Sequence, residues 1–117
     1  IKFGSGTYDV KPSCIVGGAF GFTFTDNNEE CYFENVISAI NITLTGEIKE
    51  VNVGGIAGRL QSNLYRCQYN GTISGYVTFS NTTGDNCIGG LAGWLGSNVN
   101  TTLTISECSF DGTIDIA

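Results

Sequence analysis

Apolar and polar residues alternate along much of this chain. Ile40-Asn41-Ile42-Thr43-Leu44-Thr45 is the clearest run, and it stops at Gly46. A period of two is that of a strand with one buried face. Tyr76-Val77-Thr78-Phe79 and Leu103-Thr104-Ile105 repeat the pattern in shorter form. No segment keeps a helical period for an adequate length, and β-branched residues dominate, so the pattern predicts an all-β chain.

The alternation belongs to a repeat. Val53-Gly54-Gly55-Ile56-Ala57-Gly58 returns as Ile88-Gly89-Gly90-Leu91-Ala92-Gly93, and more loosely as Val16-Gly17-Gly18-Ala19-Phe20-Gly21. The first glycines, Gly17, Gly54 and Gly89, lie 37 and then 35 residues apart. Such a period marks units that bury their apolar faces by stacking on one another. Glycine pairs at a fixed phase point to tight corners where stacked backbones approach closely. A second motif, C-x-[FY]-x-[GN]-x-I, follows each glycine motif, from Cys31 to Ile37, Cys67 to Ile73 and Cys108 to Ile114. Its fixed residues again fall at every second position.

The fold expected is a short parallel β-solenoid, β-helix-like, with three repeats of about 35 residues. The repeats run 14–50, 51–86 and 87–117 behind an N-terminal strand in 1–13, all in one domain spanning 1–117. Each is expected to hold roughly three strands. Val16, Val53 and Ile88 should form one buried column, and Ile37, Ile73 and Ile114 another. Residues 1–13 look like the strand and loop that precede a glycine motif, and the chain stops where a third strand of the last repeat is due. A second copy stacked head to tail would complete that unit. An excerpt of a longer array would show the same phase.

Composition narrows the function. Seventeen glycines with the single proline Pro12 serve the fold, because the glycines are periodic. The formal net charge is −6, and Lys2, Lys11, Lys49, Arg59 and Arg66 are scattered, which argues against a nucleic-acid partner. No apolar run is long enough for a membrane-spanning helix, and no signal-peptide pattern is present. The chain holds no Met and begins with Ile1, as expected of a processed form or a piece of something longer. Low charge and abundant Asn, Thr and Gly suit an extracellular or cell-surface protein.

GGIAG and GGLAG, each followed by a C-x-[FY]-x-G-x-I segment, resemble the GLUG repeat of bacterial surface proteins. The resemblance covers all three repeats, although the first has Ala19-Phe20 for the aliphatic pair and Asn35 for a glycine. It implies a β-solenoid in large exported proteins, adhesins among them. It implies no catalytic residues.

Candidate chemistry is sparse. Without histidine, the Ser-His-Asp and Cys-His constellations, the histidine-bearing zinc sites and the HExxH signature are excluded. Glu29, Glu30, Glu34, Glu107 and Asp111 are the carboxylates that could pair for glycoside hydrolysis. Glu34 and Asp111 fall at equivalent positions of the second motif with Asn70 between them, and they read as a solvated polar column. Asp26-Asn27-Asn28-Glu29-Glu30 offers oxygen ligands without the spacing of a calcium loop. The chain reads as neither an enzyme nor a cofactor protein.

Cys31, Cys67 and Cys108 occupy one repeat position, where stacked strands lie about 4.8 Å apart, within a disulfide's reach. The same alternation buries them, and they read as a column of free thiols. Cys14 and Cys87 differ by one residue in phase relative to the glycines, so they should face opposite ways. Asn41, Asn70, Asn81 and Asn100 begin N-x-[ST] sequons and are candidate glycosylation sites. Phe22, Arg59 and Trp94 each stand five residues after the first glycine, so stacking would sandwich a guanidinium between two rings.

Taken together, these features point to a structural subunit or repeat segment of an extracellular assembly, partnered by itself head to tail as a fibre. The alternative is a glycan- or host-binding module of an adhesin, using the aromatic column. No nucleic acid and no membrane insertion enter either reading.

Overall fold

The structure is a computed structural model that describes residues 2–3, 6–10, 15–23, 31–48, 50–79, 86–96 and 103–117. Two short strands, β1 (Lys2–Phe3) and β2 (Thr7–Val10), precede three coils. The first coil holds β3 (Ile15–Gly17), β4 (Phe20–Phe22), β5 (Tyr32–Glu34), β6 (Ile37–Ser38) and β7 (Asn41–Ile48). The second holds β8 (Asn52–Gly54), β9 (Ala57–Leu60), β10 (Asn63–Tyr65), β11 (Gln68–Tyr69) and β12 (Thr72–Phe79). The third holds β13 (Cys87–Gly89), β14 (Ala92–Leu95), β15 (Ile105–Ser106), β16 (Ser109–Phe110) and β17 (Thr113–Ile116). Each strand pairs in parallel with its counterpart in the next coil, giving five narrow sheets. The chain is therefore an all-β, parallel, solenoid-like stack. Among the described residues each coil has five strands rather than three, because short corners cut the runs of alternation.

One corner is a left-handed residue repeated three times. Asn35, Arg66 and Glu107 have φ of 57°, 53° and 54°. They follow the in-register residues Glu34, Tyr65 and Ser106. Asn tolerates this conformation, whereas Arg and Glu adopt it at a cost of about 1–2 kcal/mol. The turn also resets which side chains face inward. Beyond it Val36, Ser38, Ile40, Ile42 and Leu44 are buried in strict alternation.

The glycine motif is a β-arch in which β8 and β9 fold face to face. A Cβ on Gly54 would fall on the Ala57 carbonyl and within 2.7 Å of the Ala92 Cα, so only glycine lets the layers meet. A Cβ on Gly55 would enter the ring of Tyr69. The first glycine of the pair therefore closes the arch, and the second seats the aromatic of the following motif. In the third coil Phe110 takes the seat, its ring stacked on Tyr69 with centroids 6.0 Å apart. The two motifs are one interlocked unit.

Val16, Val53 and Ile88 form the expected column, Val53 fully buried and its neighbours partly so. The other column differs from expectation. Ile73 pairs with Ile42 and Ile114, while Ile37 pairs with Gln68. Between β4 and β5 the first coil spends six more residues than the second. Phe22 faces Arg59 at an offset of 37 (59 − 22), but Phe33 faces Leu64 at 31 (64 − 33). The match to the second motif at Cys31–Ile37 therefore lies five residues ahead of the true equivalent, which starts at Val36. There Ser38 stands for Tyr69 and Ile40 for Gly71, a small residue beside a large one in place of a ring beside glycine.

The core follows from stacking. Residues of the second coil, covered on both sides, dominate it: Val51, Val53, Ile56, Leu60, Leu64, Tyr69 and Ile73 are all 0% exposed. The last coil contains β17 in register with Thr72–Gly75 of β12, the half of that strand that precedes residues 76–79, and it is shorter than the strands before it. At the other end β1 and β2 stand on β6 and β7.

Candidate functional site

The β4-β9-β14 sheet brings Phe22, Arg59 and Trp94 into one register column. The Arg59 guanidinium carbon lies 5.5 Å from the centre of the Trp94 ring, a cation–π contact. Phe22 is 45% exposed, and Arg59 and Trp94 are partly buried. The indole lies against Gly96, where a Cβ would collide with it. Arg59 Nε is buried with no hydrogen-bond partner among the described residues. The column predicted from spacing is thus assembled, because the glycine motif and the five residues behind it keep one offset through the arch.

A second cation sits at the left-handed corner. Arg66 forms an ion pair with Glu34 and another with Glu107 at 3.2 Å, bridging all three coils. The sequence reading missed this clasp, because its register placed Glu34 level with Asp111. In the structure Glu34 is level with Tyr65, whereas Asp111 follows Phe110, the partner of Tyr69. The proposed Glu34–Asn70–Asp111 column therefore does not form. Asp111 instead accepts a hydrogen bond from Gln68 Nε2 at 2.6 Å. Both acids of the clasp are solvent-exposed, Glu107 more than Glu34, and both are ion-paired with the single Arg66 guanidinium. Glu29, Glu30 and the rest of the 26–30 run lie outside the described residues.

The cysteine column is corrected in the same way. Cys67 and Cys108 stack, with Cys67 N–H donating to Cys108 Sγ at 3.4 Å, but Val36 occupies the third place. Cys31 sits before β5, its carbonyl accepting from Asn63 N–H. Burial pushes the Cys67 thiol up, and neighbouring Cys108 adds to the shift. Cys31, Cys67, Cys87 and Cys108 are free thiols. Cys87 stands level with Asn52 and Ile15, one residue out of phase with Cys14, which lies outside the described residues. Tyr69 is the other shifted group. Burial raises its phenol to about 12, and its hydroxyl donates to the Ile40 carbonyl at 2.7 Å.

Of the sequon asparagines, Asn41 and Asn70 are exposed. Asn41 Oδ1 accepts from Thr72 N–H at 3.0 Å, so the side chain is partly committed to the fold. Asn81 and Asn100 lie outside the described residues. A buried polar run at Thr23, Gln61, Ser62 and Asn63 also escaped the sequence reading. Thr23 Oγ1 accepts from Gln61 N–H at 3.0 Å and from Ser62 Oγ at 2.8 Å, and these bonds tie the first two coils together. Among the described residues no three His, Cys, Asp or Glu side chains converge as metal ligands, and no helix is long and apolar enough to cross a membrane.

Comparison with family models, curated proteins and solved structures found no match to this chain. The resemblance to the GLUG repeat rests on the repeated motif alone.

Proposed function

We propose that this chain is a structural β-solenoid subunit of an extracellular assembly, stacked head to tail on further copies of itself. One observation carries the reading. Leu60, Leu64, Tyr69 and Ile73 are fully buried, yet their counterparts Leu95, Ile105, Phe110 and Ile114 are 53%, 40%, 39% and 42% exposed. Among the described residues the last coil presents a cross-section of the core and its strand edges, a surface that solenoids cover with caps, further coils or neighbours. A second copy carries the same inward pattern, and its β1 and β2 are the counterparts of the β6 and β7 that precede each further coil. Set on the end of the first copy, they pair with β16 and β17 by strand addition. Such a contact is heterologous and grows a filament unless it closes.

The contact closes two of the five strand positions directly and leaves a slot one strand high over β13, β14 and β15. Phe110 and Ile114 lie under the closed part, and Leu95 and Ile105 face the slot. The low charge and the exposed sequons at Asn41 and Asn70 support placing the assembly outside the cell. Electron microscopy of the concentrated protein tests the reading. Ordered filaments of uniform width are expected, and isolated particles of single-chain size would overturn it.

A further inference from the structure

In a chain of formal net charge −6, Arg59 is a cation that the described acids leave alone. Arg66 is held by Glu34 and Glu107, but no described carboxylate forms an ion pair with Arg59. Its described partner is the Trp94 ring, and its buried Nε donates to nothing among the described residues. An unsatisfied buried donor is uncommon in a folded protein and calls for an explanation. Phe22 stands level with Arg59 on the opposite flank, 45% exposed.

From this arrangement we infer that the Phe22–Arg59–Trp94 column binds the acidic units of a carboxylate-bearing polysaccharide. The guanidinium is a planar fork of donors that matches a carboxylate two bonds at a time. A pyranose ring has an apolar C–H face that packs on an aromatic ring. Here one ring lies on each side of the cation at a strand spacing of about 4.8 Å, so one sugar unit meets the cation and a ring together. An acidic peptide would satisfy Arg59 but offer both rings no flat partner. The proposal is independent of head-to-tail stacking, since the column runs along the side of the solenoid.

Trp94 is the sole tryptophan, so its fluorescence reports the site directly. The whole chain is titrated with tetragalacturonate, with neutral galactotetraose and with tetraglutamate. A saturable change in emission with tetragalacturonate alone is expected, weakening as salt rises. Arg59→Gln is expected to lose affinity at least tenfold with the circular dichroism unchanged. Phe22→Ala, at an exposed position, should lose several-fold and keeps the test available should Arg59→Gln fail to fold. No change with tetragalacturonate, an equal response to either control, or full affinity in a folded Arg59→Gln or Phe22→Ala protein would overturn the proposal.

Discussion

Gly55 and Gly46 separate two reasons a solenoid needs glycine. Gly55 is closed off by a neighbouring backbone and by the Tyr69 ring, while Gly46 has φ of 82° and open space where a Cβ would go. Gly55→Ala is therefore expected to cost about 3 kcal/mol or more, since a backbone and a packed ring must both move. Gly46→Ala should cost about 1–2 kcal/mol, the strain of a left-handed alanine. Urea denaturation of the two variants checks the ranking, and equal losses would contradict it. Tyr69 makes a pH prediction. Its phenol is raised from 10 in the unfolded chain to about 12 in the fold. The stability this contributes is complete below pH 10 and is lost as pH rises towards 12. Tyr69→Phe, the residue type already present at Phe110, should flatten that alkaline decline. Near neutral pH it should cost about 1 kcal/mol for the lost bond to the Ile40 carbonyl. A Tyr69→Phe protein with the same alkaline decline as the parent would contradict this.

At the scale of strands and corners, the left-handed column decides between strain and charge. Arg66 gains two half-exposed ion pairs, together about 0–1 kcal/mol, against a conformational cost of about 1–2 kcal/mol. Arg66→Asn, which copies Asn35, should therefore be neutral or slightly stabilising in thermal denaturation, although it removes both ion pairs. A loss above about 2 kcal/mol would mean the clasp outweighs the strain. This corner also marks the limit of what the sequence discloses. Val16, Val53 and Ile88 were legible as a column because the glycine motif keeps one register through the arch. Phe22, Arg59 and Trp94 were legible for the same reason. Ile42 was not, because a left-handed residue resets the alternation and the second motif has a near-copy at Cys31 five residues too early. The clue was the unbroken alternation from Val36 to Leu44, which outruns the near-copy and pairs Ser38 with Ile40 where Tyr69 is paired with Gly71.

For the whole molecule, stacking on a further copy predicts which exposed residues matter. Ile114 and Phe110 lie where β1 and β2 of a second copy would land, whereas Leu95 faces the slot. Ile114 and Leu95 are both exposed, so a lysine at either should leave the fold of the single chain intact. Sedimentation velocity of the full chain from micromolar to millimolar concentration is the most direct measurement. The parent protein is expected to form larger species as concentration rises, Ile114→Lys to stay monomeric throughout, and Leu95→Lys to associate with only a modest loss. A parent chain that remains monomeric at millimolar concentration, or an Ile114→Lys protein that associates as well as the parent, would contradict head-to-tail stacking.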